Sequence, residues 1–165
     1  MNIIRSINRS ILVLLVCLIA IAAAPALRAE TPAEQVKAAG GIPLTTALLD
    51  KMDAFLKSMN SDAAAKAEFT EINKDPTVGT TPEGWVTAIN SKCPKSAANF
   101  KSAGITADDF AKAIFAIMAC SMNEELAKSE DATVKANCEF VKANNDRANK
   151  TFGDFMQLNM PPDAK

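Results

Sequence analysis

Cys93, Cys120 and Cys138 are the side chains in this sequence with the clearest capacity for chemistry. In an oxidising compartment two of them pair, and the third remains as a buried thiol or a group for intermolecular pairing. Three pairings are open. Cys93 with Cys138 ties the segment before Pro94 to the last helix, and leaves Cys120 among Ile117, Met118 and Ser121 as a small hydrophobe. Cys120 with Cys138 staples an antiparallel hairpin that turns near Glu130. Cys93 with Cys120 is the third. A redox enzyme would need Cys-x-x-Cys spacing or a thiol poised at a helix N-terminus, and the sequence offers neither. Met118, Cys120 and Met122 are soft-ligand types, but on a helix Cys120 points roughly 200° away from Met118, so the three do not converge.

Histidine and tyrosine are both absent. That removes the commonest general base, serine–histidine triads and the usual zinc and haem ligands. Three carboxylate pairs remain: Asp108-Asp109, Glu124-Glu125 and Glu130-Asp131. Neighbours on a helix diverge by about 100°, so these do not meet on one substrate. Asp108 and Asp109 read better as partners of a helix N-terminus, and the others as solvated charge. Asn73, Asp75 and Thr77 alternate as calcium-loop ligands do, but Val78 stands where the sharp-turn glycine belongs and Gly84 where the final glutamate belongs. No glycine-rich phosphate loop and no basic-aromatic face for nucleic acid appear. The expectation is a non-catalytic chain with no cofactor and no metal site.

The elements that would position these residues begin after a leader. Arg5 and Arg9 precede the apolar run from Ile11 to Ala24, Pro25 breaks it, and Ala29 offers a small residue before Glu30. That order is a secretory signal peptide, residues 1–29, with cleavage after Ala29 or alternatively after Ala26. The run of about 14 residues is shorter than the roughly 20 that a membrane span needs. The remainder, residues 30–165, carries fifteen bases against nineteen acids, a net charge of −4. The charges are interspersed, which gives no pull toward nucleic acid or anionic lipid.

Residues 30–165 read as an all-α, single-domain bundle of six or seven helices. Thr31-Pro32-Ala33-Glu34 starts a short helix that ends at Gly40-Gly41. Thr45 or Thr46 caps the next, whose apolar stripe is Leu48, Leu49, Met52, Phe55, Leu56 and Met59. Ser61-Asp62 restarts or kinks it ahead of Ala65, Phe69 and Ile72. Residues 75–84 form a loop of Pro, Gly and Thr. Thr81-Pro82-Glu83 opens a helix carrying Trp85, Ile89 and Cys93, and Pro94 a shorter one with Ala97 and Phe100. Gly104 and Ile105 form a Schellman end.

The organising element is Thr106 to Lys128, with Thr106 as N-cap and apolar residues on two faces. Phe110, Ile114, Ile117, Met118 and Ser121 form one face, and Ala111, Phe115, Ala119, Met122 and Leu126 the other. Two such faces predict neighbours on both sides. A last long helix is expected from Val134 to Leu158, with Cys138, Val141, Asn145, Ala148, Phe152, Phe155 and Met156 inward.

Ala103-Gly104-Ile105-Thr106 ahead of Asp109-Phe110, together with Ala136-Asn137-Cys138-Glu139-Phe140-Val141, resembles a pattern in small secreted α-helical proteins of proteobacteria. The resemblance covers the C-terminal half and implies a helical, exported protein without implying an activity. In the position of Cys138 those proteins usually have an aliphatic residue. The function expected is that of a periplasmic or secreted interaction or accessory protein of the cell envelope, with an envelope protein as partner. The alternative is a carrier of an apolar small molecule held between helices, suggested by Phe115 and Met118 beside Ala116, Ala119 and Ser121.

Overall fold

The computed structural model describes residues 32–75, Val78 and residues 81–158. The expected leader, its two cleavage positions, the cap at Thr31 and the loop position Thr77 lie outside the described residues. Those described form eight α-helices and one 3-10 helix, with no strand among them. They are α1 (Pro32–Ala39), α2 (Thr46–Ser61), α3 (Ala63–Lys74), α4 (Pro82–Lys92), α5 (Pro94–Ala103), α6 (Ala107–Met122), the 3-10 helix (Glu124–Lys128), α7 (Ala132–Ala143) and α8 (Asn145–Leu158). All belong to one compact all-α unit, and among the described residues no helix is long and apolar enough to cross a membrane.

Side-chain caps set most of the boundaries. The Thr45 hydroxyl accepts from Leu48 N at 3.1 Å and starts α2. Asp62 both ends α2 and starts α3, its carboxylate accepting from Ala64 N at 3.1 Å and Ala65 N at 3.0 Å. Thr81 caps α4, and Thr106 caps α6 by accepting from Asp109 N at 3.0 Å. No side chain of its own caps α5; instead Glu68 on α3 accepts from Lys95 N at 2.9 Å. At the other end of α5, Gly104 takes φ +65°, Gly104 N bonds Lys101 O, and Ile105 N bonds Phe100 O, the expected Schellman pair.

Two expected helices end early. The central helix stops at Met122, not Lys128, because Asn123 leaves helical geometry. Its side-chain oxygen accepts from Glu125 N at 3.1 Å and its amide donates to Gln35 on α1 at 2.8 Å. A short polar side chain that serves both backbone and a neighbour competes with helix continuation. The last helix is two: Asn144 breaks it, with its backbone and side-chain N–H groups both on Phe140 O at 2.9 Å. This division raises the helix count above the six or seven expected.

The central helix α6 packs against α1, α4, α7 and α8, while α2 packs against α3, α5 and α8. Of the expected α2 stripe, Leu49, Met52, Phe55, Leu56 and Met59 are at most 1% exposed, while Leu48 is half-buried. Phe55 is the centre of an aromatic cluster. It stacks on Phe100 with ring centroids 4.0 Å apart and meets Phe110 edge-on at 4.7 Å. Trp85 links Phe69 at 5.5 Å to Phe155 at 5.1 Å. Six helices therefore share one set of rings, whose edge and stacked contacts add to area burial.

Some expected inner positions lie outside. Met122 is 80% exposed and Met156 42% exposed. Ser121, Ala97 and Asn145 are exposed, and Met118 is half-buried. The helix breaks explain Met122 and Asn145: each sits at an end where the period is interrupted. Ala97 yields its inward place to Ser96 and Asn99, both buried on the same helix.

Candidate functional site

The disulfide joins Cys120 to Cys138, with Cα atoms 4.9 Å apart and a sequence separation of 18. The pairings of Cys93 with Cys138 and of Cys93 with Cys120 are thereby excluded. Both surviving partners lie on consecutive helices, α6 and α7, whose polar connection folds them antiparallel. Cys93 is a free buried thiol instead, 1% exposed at the junction of α4 and α5. Burial, reinforced by the charge of Glu68, pushes its pKa up to about 11, so it stays protonated and unreactive at neutral pH.

A surface groove of about 550 Å³ runs beside the disulfide. Cys120 and Ser121 come from α6, Glu124, Glu125 and Lys128 from the 3-10 helix, and Cys138 and Lys142 from α7. Asn145 and Asn149 at the start of α8 complete one side. The groove exists because Asn123 ends α6: the chain leaves the helix and returns through a 3-10 turn, leaving space between that turn and α8. Glu125 pairs with Lys128 at 2.8 Å, an exposed contact of little energetic weight. Among the described residues Glu124 and Lys142 form no ion pair, so charges of both signs stand open along the lining.

The candidate carboxylate pairs divide as their helix positions dictate. Asp108 binds Lys112 at 2.6 Å on the first turns of α6, while Asp109 donates its backbone N–H to the Thr106 cap hydroxyl. Glu124 and Glu125 line the groove. Asp131 is an N-cap, accepting from Thr133 N at 2.8 Å and Val134 N at 3.0 Å. In the loop read against a calcium template, the Asp75 carboxylate pairs with Lys92. Gly84 is required there for packing: a Cβ would lie 2.2 Å from Val78 O. Among the described residues no three Cys, Asp or Glu side chains group as a metal site.

Beside the central helix, where space for an apolar ligand was expected, Ala116 and Ala119 are buried, Phe115 is 8% exposed, and Ser121 lines the groove. The site's surroundings are held by buried and half-buried polar groups. Asn137, 2% exposed on α7, donates to Ala39 O at 2.7 Å and to Ile42 O at 2.8 Å, and accepts from Leu44 N at 2.7 Å. It pins the connector between α1 and α2 to the helix that carries Cys138. Asp53 on α2 accepts from Thr151 at 2.8 Å and from Arg147 at 2.9 Å, while Arg147 also reaches Asp50 at 2.6 Å. This fixes α8, and with it Asn149, against α2. Asn137 had one detectable signal: with Val134, Cys138 and Val141 it falls on the inward spacing of α7.

No protein-family model matches the chain, and neither a curated protein nor a solved structure matches it.

Proposed function

We propose that the chain is an exported, non-catalytic accessory protein of the cell envelope, and that the groove beside Cys120–Cys138 is its interaction surface. The observation that carries this reading is the disulfide itself, set in a small bundle of mild net charge. Disulfides form and persist outside the reducing cytosol, which agrees with the leader-like order of basic, apolar and small residues at the start of the sequence. Met122, 80% exposed next to the groove residue Ser121, supports a protein contact there. A flexible, polarizable side chain in water suits an adaptable partner surface. A carrier of an apolar small molecule fits less well. The groove lining carries four charged side chains, and the interior beside it is filled by rings and small residues.

The test has two readouts on the full chain expressed from its own leader in a bacterial host. The first is the intact mass of the product without reductant. The expected product begins at Glu30 or Leu27 and is two hydrogens lighter than its thiol form. A cytosolic product with residues 1–29 intact and three free thiols beyond them would end the export reading. The second is photocrosslinking in whole cells from position 122 and, for comparison, from exposed Lys57 on α2. A discrete adduct only from position 122 is expected; identical patterns from both positions would sink the assigned surface.

A further inference from the structure

The paired and the free cysteines of this fold differ in surroundings. Cys120 and Cys138 are 9% and 6% exposed, and both line the groove, whereas Cys93 is 1% exposed in the core. The groove volume of about 550 Å³ is within the range of small-molecule sites, large enough for a thiol of tripeptide size. Its lining carries both signs of charge. The Lys128 ammonium is held by Glu125, but Lys142 has no ion-pair partner among the described residues and sits on the same helix as Cys138.

We infer that Cys120–Cys138 undergoes thiol–disulfide exchange in the folded protein with small anionic thiols that enter through this groove. Glutathione is the probe whose chemistry fits, since its two carboxylates and one ammonium answer a lining of mixed sign. Its thiolate attacks one sulfur of the pair. The protein S–S bond breaks, a mixed disulfide forms, and the other cysteine leaves as a thiolate that takes a proton from water. A second glutathione thiolate attacks the glutathione sulfur of the mixed disulfide. Oxidised glutathione departs, and the second cysteine thiolate is protonated in turn. Two glutathione thiols are oxidised and one protein disulfide is reduced. Lys142 draws the anionic reagent toward the sulfur by its field. This inference stands apart from the accessory role: it requires only the disulfide and the groove.

The experiment follows exchange in the folded full chain with glutathione and, separately, with neutral mercaptoethanol, trapping thiols by alkylation and locating them by mass. The exchange rate is expected to rise in proportion to glutathione, with Cys120 and Cys138 alkylated and Cys93 untouched. A rate independent of thiol concentration, with Cys93 alkylated in step, would show that the sulfurs are reached only by unfolding and would overturn the inference. Lys142→Glu is expected to slow glutathione several-fold and mercaptoethanol less, because the attacking glutathione thiolate carries the greater negative charge; an equal effect on both reagents would refute the groove route. Should that variant fold poorly, salt on the order of 0.5 M, which screens over a few ångströms, serves on the wild-type chain. It should slow glutathione more than mercaptoethanol, and equal slowing of both reagents carries the same refutation.

Discussion

Asn137 offers the sharpest test of how this bundle is held together. Its side chain makes three hydrogen bonds of 2.7–2.8 Å to the backbone between Ala39 and Leu44, a segment more than ninety residues away in sequence. That segment has no helical partners for those groups, so the loss of Asn137 leaves two carbonyls and one N–H unsatisfied. Each costs about 1–3 kcal/mol when buried. Ile42 is half-buried and its carbonyl can recover some hydration, so Asn137→Ala should lose about 3–5 kcal/mol overall. That is a large share of the roughly 5–15 kcal/mol available to a domain. With a urea slope of about 2 kcal/mol per molar, the unfolding midpoint should fall by roughly 1.5–2.5 M at unchanged slope. Asn137→Asp separates hydrogen bonding from packing. It keeps the shape and the acceptor for Leu44 N, but replaces the Nδ2 that makes both donations with one oxygen facing the Ala39 and Ile42 carbonyls. It should be destabilised at neutral pH and recover partly as acid returns a proton to it. An Asp variant as stable as wild type, or an Ala variant that loses under 1 kcal/mol, would refute the clamp.

Four further outcomes follow from the same geometry. Replacing Cys120 and Cys138 together with Ser should cost about 3 kcal/mol in urea unfolding, since the closed loop is short; no change would mean that the α6–α7 hairpin is held without its staple. Ser96→Ala should be neutral or stabilising by about 1 kcal/mol, because the hydroxyl is fully buried and unbonded among the described residues; a clear loss would reveal an unseen partner. Phe55→Ala should cost about 3–5 kcal/mol, as it removes the ring on which Phe69, Phe100 and Phe110 converge. Asp62 is held below its ordinary value of 3.8, first by the Ala65 N–H and then by the Asn99 amide. The stability it contributes is therefore present above 3.8 and lost as pH falls through its lower folded value. The difference between wild type and Asp62→Asn in urea should shrink as acid is added through that window, and a difference independent of pH would contradict the assignment.

The fold was legible wherever a local rule acted alone. Thr45, Thr81 and Thr106 cap helices as their positions before apolar runs suggest, and Gly104-Ile105 closes α5 with the bonds that such a pair implies. The α2 stripe was readable because its period runs unbroken for four turns. The breaks at Asn123 and Asn144 were not readable, since asparagine is tolerated within helices. At Asn123 the decision comes from Gln35, some ninety residues earlier, which receives its side-chain amide. A long-range partner of this kind leaves no mark in a local window. Without those breaks, the helical period places Met122 and Asn145 inward, where the interrupted helices do not.

For the same reason the groove leaves no signal in the sequence, although its cysteines do. The choice between two attractive pairings for Cys138 turned on where Cys93 lies in space, and nothing near Cys93 in the sequence states that α4 and α5 bury it in the core. Once the α6–α7 connection is a 3-10 turn instead of a continued helix, its residues cannot pack against α8. Ser121, Glu124 and Lys142 then line open space where a continued helix would have placed packed or solvated neighbours. The groove is thus a consequence of Asn123 rather than of any residue that lines it. If that is correct, Asn123→Ala, which removes both the cap on Glu125 N and the bond to Gln35, should let α6 extend toward Lys128 and reshape the groove. Helicity by circular dichroism should rise slightly, and the glutathione exchange rate at Cys120–Cys138 should change while that of a denatured control stays fixed. Unaltered exchange in a variant with measurably greater helicity would break the link between the helix end and the opening beside the disulfide.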